Sequence, residues 1–356
     1  MKINKEILLD ALKKCMPGID LSDKMTVGSD CFYFKNGYVY SLNNTCSVAV
    51  SLGDDLKELN GSVKADEFHK IISKLSGDII LDVDDTNWNI KCGKAKITIA
   101  LLEKNMNRFI EEINAEEKTY KDLPITFFNN MKMCRIDNNN CERNGIHVSE
   151  KSICATNGMC ISWLDVKNDV HSFWMDENRL SILLKFEGVI SKIYMDNVRI
   201  YFSSDSHNVF CSFSRLIYEN YLYDRVIKLY SAIIKEKNII EGVLPVEMLS
   251  ILNKASSFSM NINSYNAICL KIDNKKIECS SKRNTGSYNE TIAWNCETKE
   301  KFETMIIFVS PEFFKAGLDV SSKICIKQFG KKTCVLFIKD NYTYVMSNYM
   351  TEEEEK

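Results

Sequence analysis

The 356-residue sequence lacks the signatures of several protein classes. It has no Gly-x-x-x-x-Gly-Lys-Ser/Thr loop, which excludes a P-loop nucleotide site. Its four histidines are isolated from one another and from clustered cysteines, which argues against a zinc site. No apolar run approaches the roughly 18 residues that a membrane-spanning helix needs. These absences point away from an ATPase, a zinc enzyme and a membrane protein.

Cysteine and charge usage give further limits. The 14 cysteines are scattered singly, and no Cys-x-x-Cys pair occurs. The first 15 residues carry six charged side chains, so they offer no apolar segment for a secretory signal. We therefore expect free thiols and a cytoplasmic location. With 46 basic and 48 acidic residues, a nucleic-acid surface would have to come from the distribution of charge rather than from its sum.

One pattern occurs three times, at intervals of about 120 residues. Each copy opens with a helix, has a second helix midway and continues with three short β-runs. The opening helices are predicted over residues 4–15, 124–134 and 245–255, and the second helices over 65–75, 176–186 and 311–318. The fold class is therefore α+β, and the predicted domains are residues 1–118, 119–236 and 237–350, followed by an acidic tail over 351–356.

Local signals support this unit. Pro124, Pro245 and Pro311 are predicted to begin helices, where the missing N–H of proline costs nothing, and Asn4 is predicted to be an N-cap. Apolar residues recur at helical spacing, so each helix has one face to lay on a sheet. The β-runs are short, β-branched and aromatic, with Asn and Gly between them, which indicates antiparallel meanders. Each domain should be two helices packed on antiparallel sheet.

Every predicted helix carries basic residues, and on five of the six the acidic residues concentrate at the start. One explanation is complementarity to the helix dipole, at about 0.3–1 kcal/mol for each charge. The other is that the helices together form a basic surface for a phosphate backbone. Nothing suggests readout of bases, so such a contact would be sequence-neutral and salt-sensitive. The candidate DNA-contacting residues are Lys13, Lys14, Lys70, Lys74, Lys132, Arg179, Lys185, Lys254 and Lys315.

Several segments resemble the bacterial-type DNA polymerase sliding clamps, the β subunits of the replicase. Residues 152–162 resemble the ATDGHRL segment of that family. Residues 214–217 and 223–227 resemble its SKL…FPDYRRVL stretch, and residues 310–314 and 344–346 resemble its final helix and YVVMPM strand. The likeness is collinear over nearly the whole chain and is clearest in the second and third predicted domains.

The resemblance implies a processivity factor: a homodimeric ring of six domains that encircles double-stranded DNA, slides along it and tethers a DNA polymerase. A separate ATP-driven clamp loader would place the ring on DNA, and neither catalysis nor a cofactor or metal is implied. The ring would close head to tail, with Phe109 and Phe258 as candidate interface residues; a core position for both is the alternative.

The resemblance also implies a cleft between domains two and three that takes short partner peptides. By position, the cleft would be lined by Thr156, Gly158, Met159, Cys160, Ile161, Leu222, Arg225, Val226, Tyr344, Val345 and Met346.

The chain departs from the family pattern at this cleft. Met159 and Cys160 replace the usual His-Arg, Leu222 stands near the usual proline, and Ser347 and Asn348 replace Pro-Met. We expect these changes to leave the ring fold unaffected and to alter the peptide that binds. They fit a cleft adapted to its own polymerase, or a phage-encoded clamp acting in the host cytoplasm. The acidic tail is expected to be a solvated end; alternatively it shields a nearby site.

Two other functions stay open at this point. Asp82, Asp84 and Asp85 could hold Mg²⁺ in a nuclease. They lie between two β-runs, however, where Asp and Asn usually form turns. The chain could also be a monomeric interaction module with the clamp fold but no ring, which elution at the subunit mass of 41.0 kDa would favour.

Overall fold

The computed structural model describes residues 1–22, 28–84, 86–102, 118–136, 145–215, 219–262, 265–298 and 302–349. The chain forms two compact units. The first unit comprises residues 1–128, 169–171 and 175–216, and the second comprises residues 129–168, 172–174 and 217–356. The division into three sequence domains stays a prediction.

The helices and strands follow one another closely along the chain. The α-helices are α1 Lys5–Cys15, α2 Ala65–Lys74, α3 Phe127–Cys134, α4 Glu177–Leu183, α5 Glu219–Lys235, α6 Met248–Ser256 and α7 Pro311–Val320. Short 3₁₀ helices are Met16–Gly18, Asp54–Leu56 and Leu184–Phe186. The first strands are β1 Lys2–Ile3, β2 Cys31–Lys35, β3 Tyr38–Leu42, β4 Cys46–Ser51, β5 Gly61–Lys64, β6 Ile79–Val83, β7 Asn87–Cys92, β8 Ala95–Ala100 and β9 Lys121–Asp122. The next are β10 Gly145–Val148, β11 Ser152–Thr156, β12 Cys160–Asp165, β13 Phe173–Asp176, β14 Lys192–Met195, β15 Arg199–Ser203 and β16 Val209–Ser214. The last are β17 Asn238–Val243, β18 Met260–Ile262, β19 Tyr265–Ile272, β20 Lys276–Arg283, β21 Gly286–Ala293, β22 Asn295–Cys296, β23 Met305–Val309, β24 Lys323–Phe329, β25 Lys332–Lys339 and β26 Tyr342–Ser347.

Each unit contains two sheets. The first unit has a four-stranded sheet, β1-β6-β7-β8, and an eight-stranded sheet, β5-β2-β3-β4-β16-β15-β14-β9. The second has a nine-stranded sheet, β13-β10-β11-β12-β26-β25-β24-β17-β22, and a five-stranded sheet in which β23 joins the row β18-β19-β20-β21. The described strand pairings inside both large sheets are antiparallel, as the hairpin pattern predicts. The prediction of an α+β fold with antiparallel sheets is confirmed.

The helix starts follow the predicted capping in part. The Asn4 side chain accepts a hydrogen bond from the backbone N–H of Glu6 at 2.8 Å, so Asn4 is the N-cap of α1. Pro311 is the first residue of α7, as expected.

The two other helix-starting prolines were predicted wrongly. Pro124 and Pro245 lie three residues before α3 and α6, and their carbonyls accept from the N–H groups of Phe127 and Met248 at 2.9 and 3.0 Å. Each contact closes a turn whose first residue is the proline, and this turn leads into the helix.

The helix α5, with 17 residues, was not predicted as a helix. Its sequence is rich in aromatic and β-branched residues, which have low intrinsic helix propensity. The helical signal was nevertheless present, because Val226, Tyr230 and Ile233 recur at intervals of three and four. Their burial against the nine-stranded sheet decides the conformation. No helix in the described ranges has the length and apolar character needed to cross a membrane.

Large aromatic side chains fill the core of each unit. In the first unit, the rings of Phe34 and Phe68 pack edge-on against Trp88, with centroids 4.8 and 5.6 Å from that of Trp88. In the second unit, Phe314 of α7 packs edge-on against Phe337 of β25 at 5.1 Å. The predicted helix-on-sheet arrangement therefore holds inside both units.

Candidate peptide cleft and basic helix faces

A cleft of about 450 Å³ opens in the second unit, between α5 and one face of the nine-stranded sheet. The sheet contributes strands β11, β12, β24, β25 and β26 and the turns that join them. The lining residues are Thr156, Gly158, Met159, Ile161, Arg225, Val226, Leu229, Ile233, Phe329, Lys332, Cys334, Val345 and Ser347.

The base of the cleft is apolar and tightly packed. Ile161 and Val345 are paired residues on β12 and β26, so their side chains emerge side by side on one face. Val226 and Ile233 of α5 pack against that face. All four side chains are buried. The cleft can thus receive apolar side chains from an extended peptide.

Seven of the eleven predicted lining residues line this cleft. They are Thr156, Gly158, Met159, Ile161, Arg225, Val226 and Val345.

The other four do not contribute a described side chain to it. Cys160, Tyr344 and Met346 are buried on the opposite face of the sheet, because neighbouring side chains in a strand point to opposite faces. Tyr344 instead lines a separate cavity with Met133 and Val320. This corrects the expected place of the three residues. Leu222 belongs to α5, but its side chain lies outside the described part.

The sequence analysis missed several lining residues. Leu229 and Ile233 follow Val226 at helical spacing, so the α5 pattern could have revealed them. Leu229 is 42% exposed, which is high for a leucine beside a buried core. Phe329, Lys332, Cys334 and Ser347 come from β24, β25 and β26, which only the sheet order brings beside β12.

The turn between β11 and β12 fixes one end of the cleft. The Asn157 side-chain oxygen accepts from the backbone N–H groups of Met159 and Cys160, at 3.0 and 2.8 Å. Gly158 has φ of +87°, a left-handed conformation that glycine adopts without strain. The N–H of Ser347 donates to the Met159 carbonyl at 3.1 Å. Met159 is therefore held at the cleft before any ligand binds.

Two contacts hold the middle and the end of α5. The Trp163 and Tyr230 rings stack at 4.3 Å between centroids, with planes 10° apart. Lys327, only 6% exposed, donates from Nζ to the carbonyls of Ile234 and Glu236 at 2.6 and 2.8 Å. A cation at the C-terminal carbonyls of a helix also complements the helix dipole. These contacts fix the wall that carries Val226 and Ile233.

The start of α5 rests on a buried histidine. The rings of His147 and Tyr223 stack at 3.2 Å between centroids. The Tyr223 hydroxyl lies 3.2 Å from Ser152 Oγ. Burial lowers the pKa of His147 to about 3, so its ring is neutral at physiological pH.

Most of the candidate DNA-contacting lysines lie on the surface of their unit. Lys13, Lys70, Lys74, Lys132, Lys185 and Lys254 are exposed, and Lys14 and Lys315 are half-buried. Among the described contacts, the Lys14 ammonium pairs with Asp10 at 2.5 Å, that of Lys70 with Asp66 at 2.6 Å and that of Lys254 with Glu290 at 3.1 Å. Exposed pairs of this kind contribute only about 0–1 kcal/mol, so a phosphate could replace the carboxylate at little cost.

Arg179 differs from this set. It is 9% exposed, its guanidinium is paired with the Asp176 carboxylate, and it also donates to Ser214 Oγ at 3.2 Å. Asp176 is in turn the N-cap of α4, so the pair is part of the helix start. A buried guanidinium with these contacts is not presented to a polyanion, which corrects the expectation for Arg179.

The remaining candidates are placed as follows. Phe109 and Asp85 lie outside the described residues. Phe258 is half-buried, and its ring packs so closely on Gly286 that an added Cβ would lie 2.8 Å away. The Asp84 carboxylate accepts from the N–H groups of Thr86 and Asn87 at 2.9 and 2.7 Å. These hydrogen bonds lower the pKa of Asp84 and identify it as a turn residue.

Comparisons with known proteins relate this geometry to a known fold. No protein-family model matches the chain, and no curated protein matches its sequence. Among solved structures, the Bacillus subtilis DNA polymerase sliding clamp superimposes with a TM-score of 0.76 at 16% identity, covering 98% of both chains. A Pseudomonas aeruginosa sliding clamp bound to griselimycin gives a TM-score of 0.75 at 13% identity, covering 98% of this chain and 99% of that one. The Helicobacter pylori beta clamp bound to a DNA ligase peptide gives 0.72 at 15%, with the same coverage. The chain has the fold of the DNA polymerase sliding clamps.

Proposed function

We propose that this protein is a DNA polymerase processivity clamp: a homodimeric ring that encircles duplex DNA and carries a polymerase through the cleft beside α5. The observation that carries the proposal is the extent of the structural match. It spans 98% of this chain and 98–99% of each compared clamp. In this proposal the protein acts in the cytoplasm and catalyses no reaction.

The basic helix faces support sliding rather than fixed binding. A closed ring stays on DNA because of its topology, so each lysine contact need only be weak. Exposed ammonium groups such as those of Lys13, Lys74 and Lys185 can neutralise phosphates of any sequence. Their attraction is screened by salt within about 8–10 Å. Retention of the ring on DNA should therefore persist as the salt concentration rises, while the lysine–phosphate contacts should weaken.

The cleft supports the tethering role. Its apolar base and its fixed Met159 turn are formed without a ligand, so little ordering is needed when a peptide binds. A compared clamp, that of Helicobacter pylori, is bound to a DNA ligase peptide. A polymerase attached to this cleft through a short segment would have an effective concentration in the millimolar range at the primer end. A clamp loader would use the same kind of contact.

The experiment compares retention on nicked circular DNA with retention on the same DNA linearised. The protein is loaded with its clamp loader and ATP and is then passed over a sizing column at moderate salt. A ring remains on the circle, is lost from the linear form and is retained again when bulky streptavidin–biotin blocks both ends. Equal loss from all three DNAs would mean ordinary electrostatic binding and would refute the clamp mechanism.

Subunit mass distinguishes the monomeric alternative. Light scattering at micromolar concentration should give twice the 41.0 kDa subunit mass for the proposed dimer. A single subunit mass, together with loss from end-blocked DNA, would favour an interaction module with this fold.

The nuclease alternative requires Asp84 to be available to a metal ion. The Asp84 carboxylate is engaged in its own turn, where it accepts hydrogen bonds from the N–H groups of Thr86 and Asn87. If Mg²⁺-dependent cleavage is found nevertheless, Asp84→Ala should abolish it, and the clamp proposal would need revision.

A further inference from the structure

The cleft has a charged rim above its apolar base. Arg225 of α5 and Lys332 at the start of β25 both line it. The described residues that line the cleft include no acidic side chain. Lys228 and Lys331, close in sequence to these two, are exposed as well. The rim is thus a cationic surface that would favour an acidic occupant.

The end of the described chain lies next to this rim. Ser347 lines the cleft. Asn348 then pairs with the residue after Lys332: its N–H donates to the Thr333 carbonyl at 2.8 Å, and its side-chain oxygen accepts from the Thr333 N–H at 2.9 Å. Tyr349 is buried, and its N–H donates to the Phe308 carbonyl at 2.8 Å. Asn348 is therefore fixed beside Lys332, and Tyr349, the last described residue, is fixed against β23.

Residues 350–356, which follow this anchor, read Met-Thr-Glu-Glu-Glu-Glu-Lys. They lie outside the described part of the chain. Seven residues can extend at most about 23–25 Å. Asn348, two residues before this segment, is hydrogen-bonded to Thr333, the neighbour of Lys332, so the segment is long enough to reach the rim. We propose that Glu352–Glu355 bind the cationic rim at Lys332 and its neighbour Lys331 and compete there with partner peptides.

The physical basis is effective concentration rather than strong binding. An exposed carboxylate–ammonium pair is weak by itself. A segment tethered within a few residues of its site, however, experiences an effective concentration in the millimolar range. The bound acidic segment would compete most with peptides that bind through acidic side chains. It would compete less with peptides that bind through apolar anchors. This role as a competitor rests on the proposed peptide-binding function; the contact itself does not.

Zero-length crosslinking with a carbodiimide tests the contact on the full-length protein, because it joins only carboxylates and amines already in contact. We expect links from Glu352–Glu355 to Lys331 or Lys332, identified by mass spectrometry and lost in 0.5 M NaCl. Mixing ¹⁵N-labelled and unlabelled protein separates links within one chain from links between chains. The pairs Lys14–Asp10 and Lys70–Asp66 serve as positive controls, since their atoms lie 2.5 and 2.6 Å apart.

A variant provides the second measurement. Changing Glu352, Glu353, Glu354 and Glu355 together to Gln removes the charge and leaves every described residue unchanged. Acetylation of Lys332 should then become about two- to fivefold faster, while that of the remote Lys185 should not change. The proposal would be overturned if the control crosslinks formed but the links to Lys331 or Lys332 did not, or if those links formed only between chains. It would also be overturned if Lys332 were acetylated at the same rate in the variant and in the original protein. None of these results would bear on the retention of a ring on circular DNA.

Discussion

Lys327→Met offers a direct test of how the cleft wall is held. The substitution keeps the length and apolar volume of the side chain and removes the ammonium that donates to the Ile234 and Glu236 carbonyls. Hydrogen bonds to charged groups contribute about 1.5–3 kcal/mol each. Part of the loss is recovered, because the variant no longer has to desolvate a buried ammonium. We expect α5 to be destabilised by about 2–4 kcal/mol.

The measurement should be local, because a chain with two compact units need not unfold in one step. Hydrogen exchange followed by mass spectrometry reports the opening free energy of peptides covering residues 219–235. The Trp163 fluorescence provides a second signal, since that ring stacks on Tyr230 of α5. Exchange in the peptide of α1, in the other unit, should stay unchanged.

Lys323→Met is the matched control. Lys323 lies on the same strand, but it is exposed and its ammonium is 3.6 Å from the Glu297 carboxylate, with side chains 53% and 39% exposed. Such a pair contributes about 0–1 kcal/mol. If Lys327→Met costs no more than Lys323→Met, the Lys327 contacts do not hold α5, and the account of the cleft wall given above is wrong.

Three further predictions concern the cleft and the core. Leu229→Glu should change the free energy of unfolding by no more than about 0.5 kcal/mol, since Leu229 is 42% exposed, but it should abolish stimulation of the cognate polymerase in primer extension. Leu249→Glu, on the similarly exposed face of α6, is the control. His147 binds fewer protons when folded, because its pKa of about 3 lies below the unfolded value near 6.5, so stability should fall by about 1 kcal/mol per pH unit as the pH drops below 6.5. His147→Leu should flatten that slope in urea titrations between pH 4 and 7, and an unchanged slope would contradict the assignment. Gly317→Ala should destabilise the second unit by about 1–3 kcal/mol in thermal melts, because the added Cβ would lie 2.3 Å from the Phe337 ring. The control, Ala316→Gly, is at an exposed position of the same helix and should destabilise the unit by only about 1 kcal/mol.

Much of the fold was predictable because its signals are local. Helix faces, the Asn4 cap and the hairpin turns depend on residues only a few positions apart, and the structure confirms them. The prolines at 124 and 245 were misplaced because a turn closed by the proline carbonyl precedes each helix, and the preference of proline for helix starts does not reveal that turn. The helix α5 was missed because its intrinsic propensity is low and its burial depends on distant strands.

The cleft was predictable in position but not in detail. Three consecutive residues of one strand, Tyr344 to Met346, cannot all face one cleft, because side chains alternate between the two faces. For the same reason, the side chains of Cys160 and Ile161 point to opposite faces of the sheet. That correction was available from the sequence alone. The contribution of Lys332 and Phe329 was not, since it requires the order β12-β26-β25-β24.

That strand order has a consequence for how the protein is made. The strand β26 lies in the interior of the nine-stranded sheet, paired with β12 on one side and β25 on the other. Cys160 of β12 is the pairing partner of Met346 of β26, so the sheet cannot be completed until residues 342–347 have left the ribosome. Until then β12 presents an unpaired edge in a nascent chain, the kind of edge that recruits other strands. We expect stalled chains ending before residue 342 to aggregate or to be held by chaperones, and the peptide cleft to be one of the last features of the molecule to form.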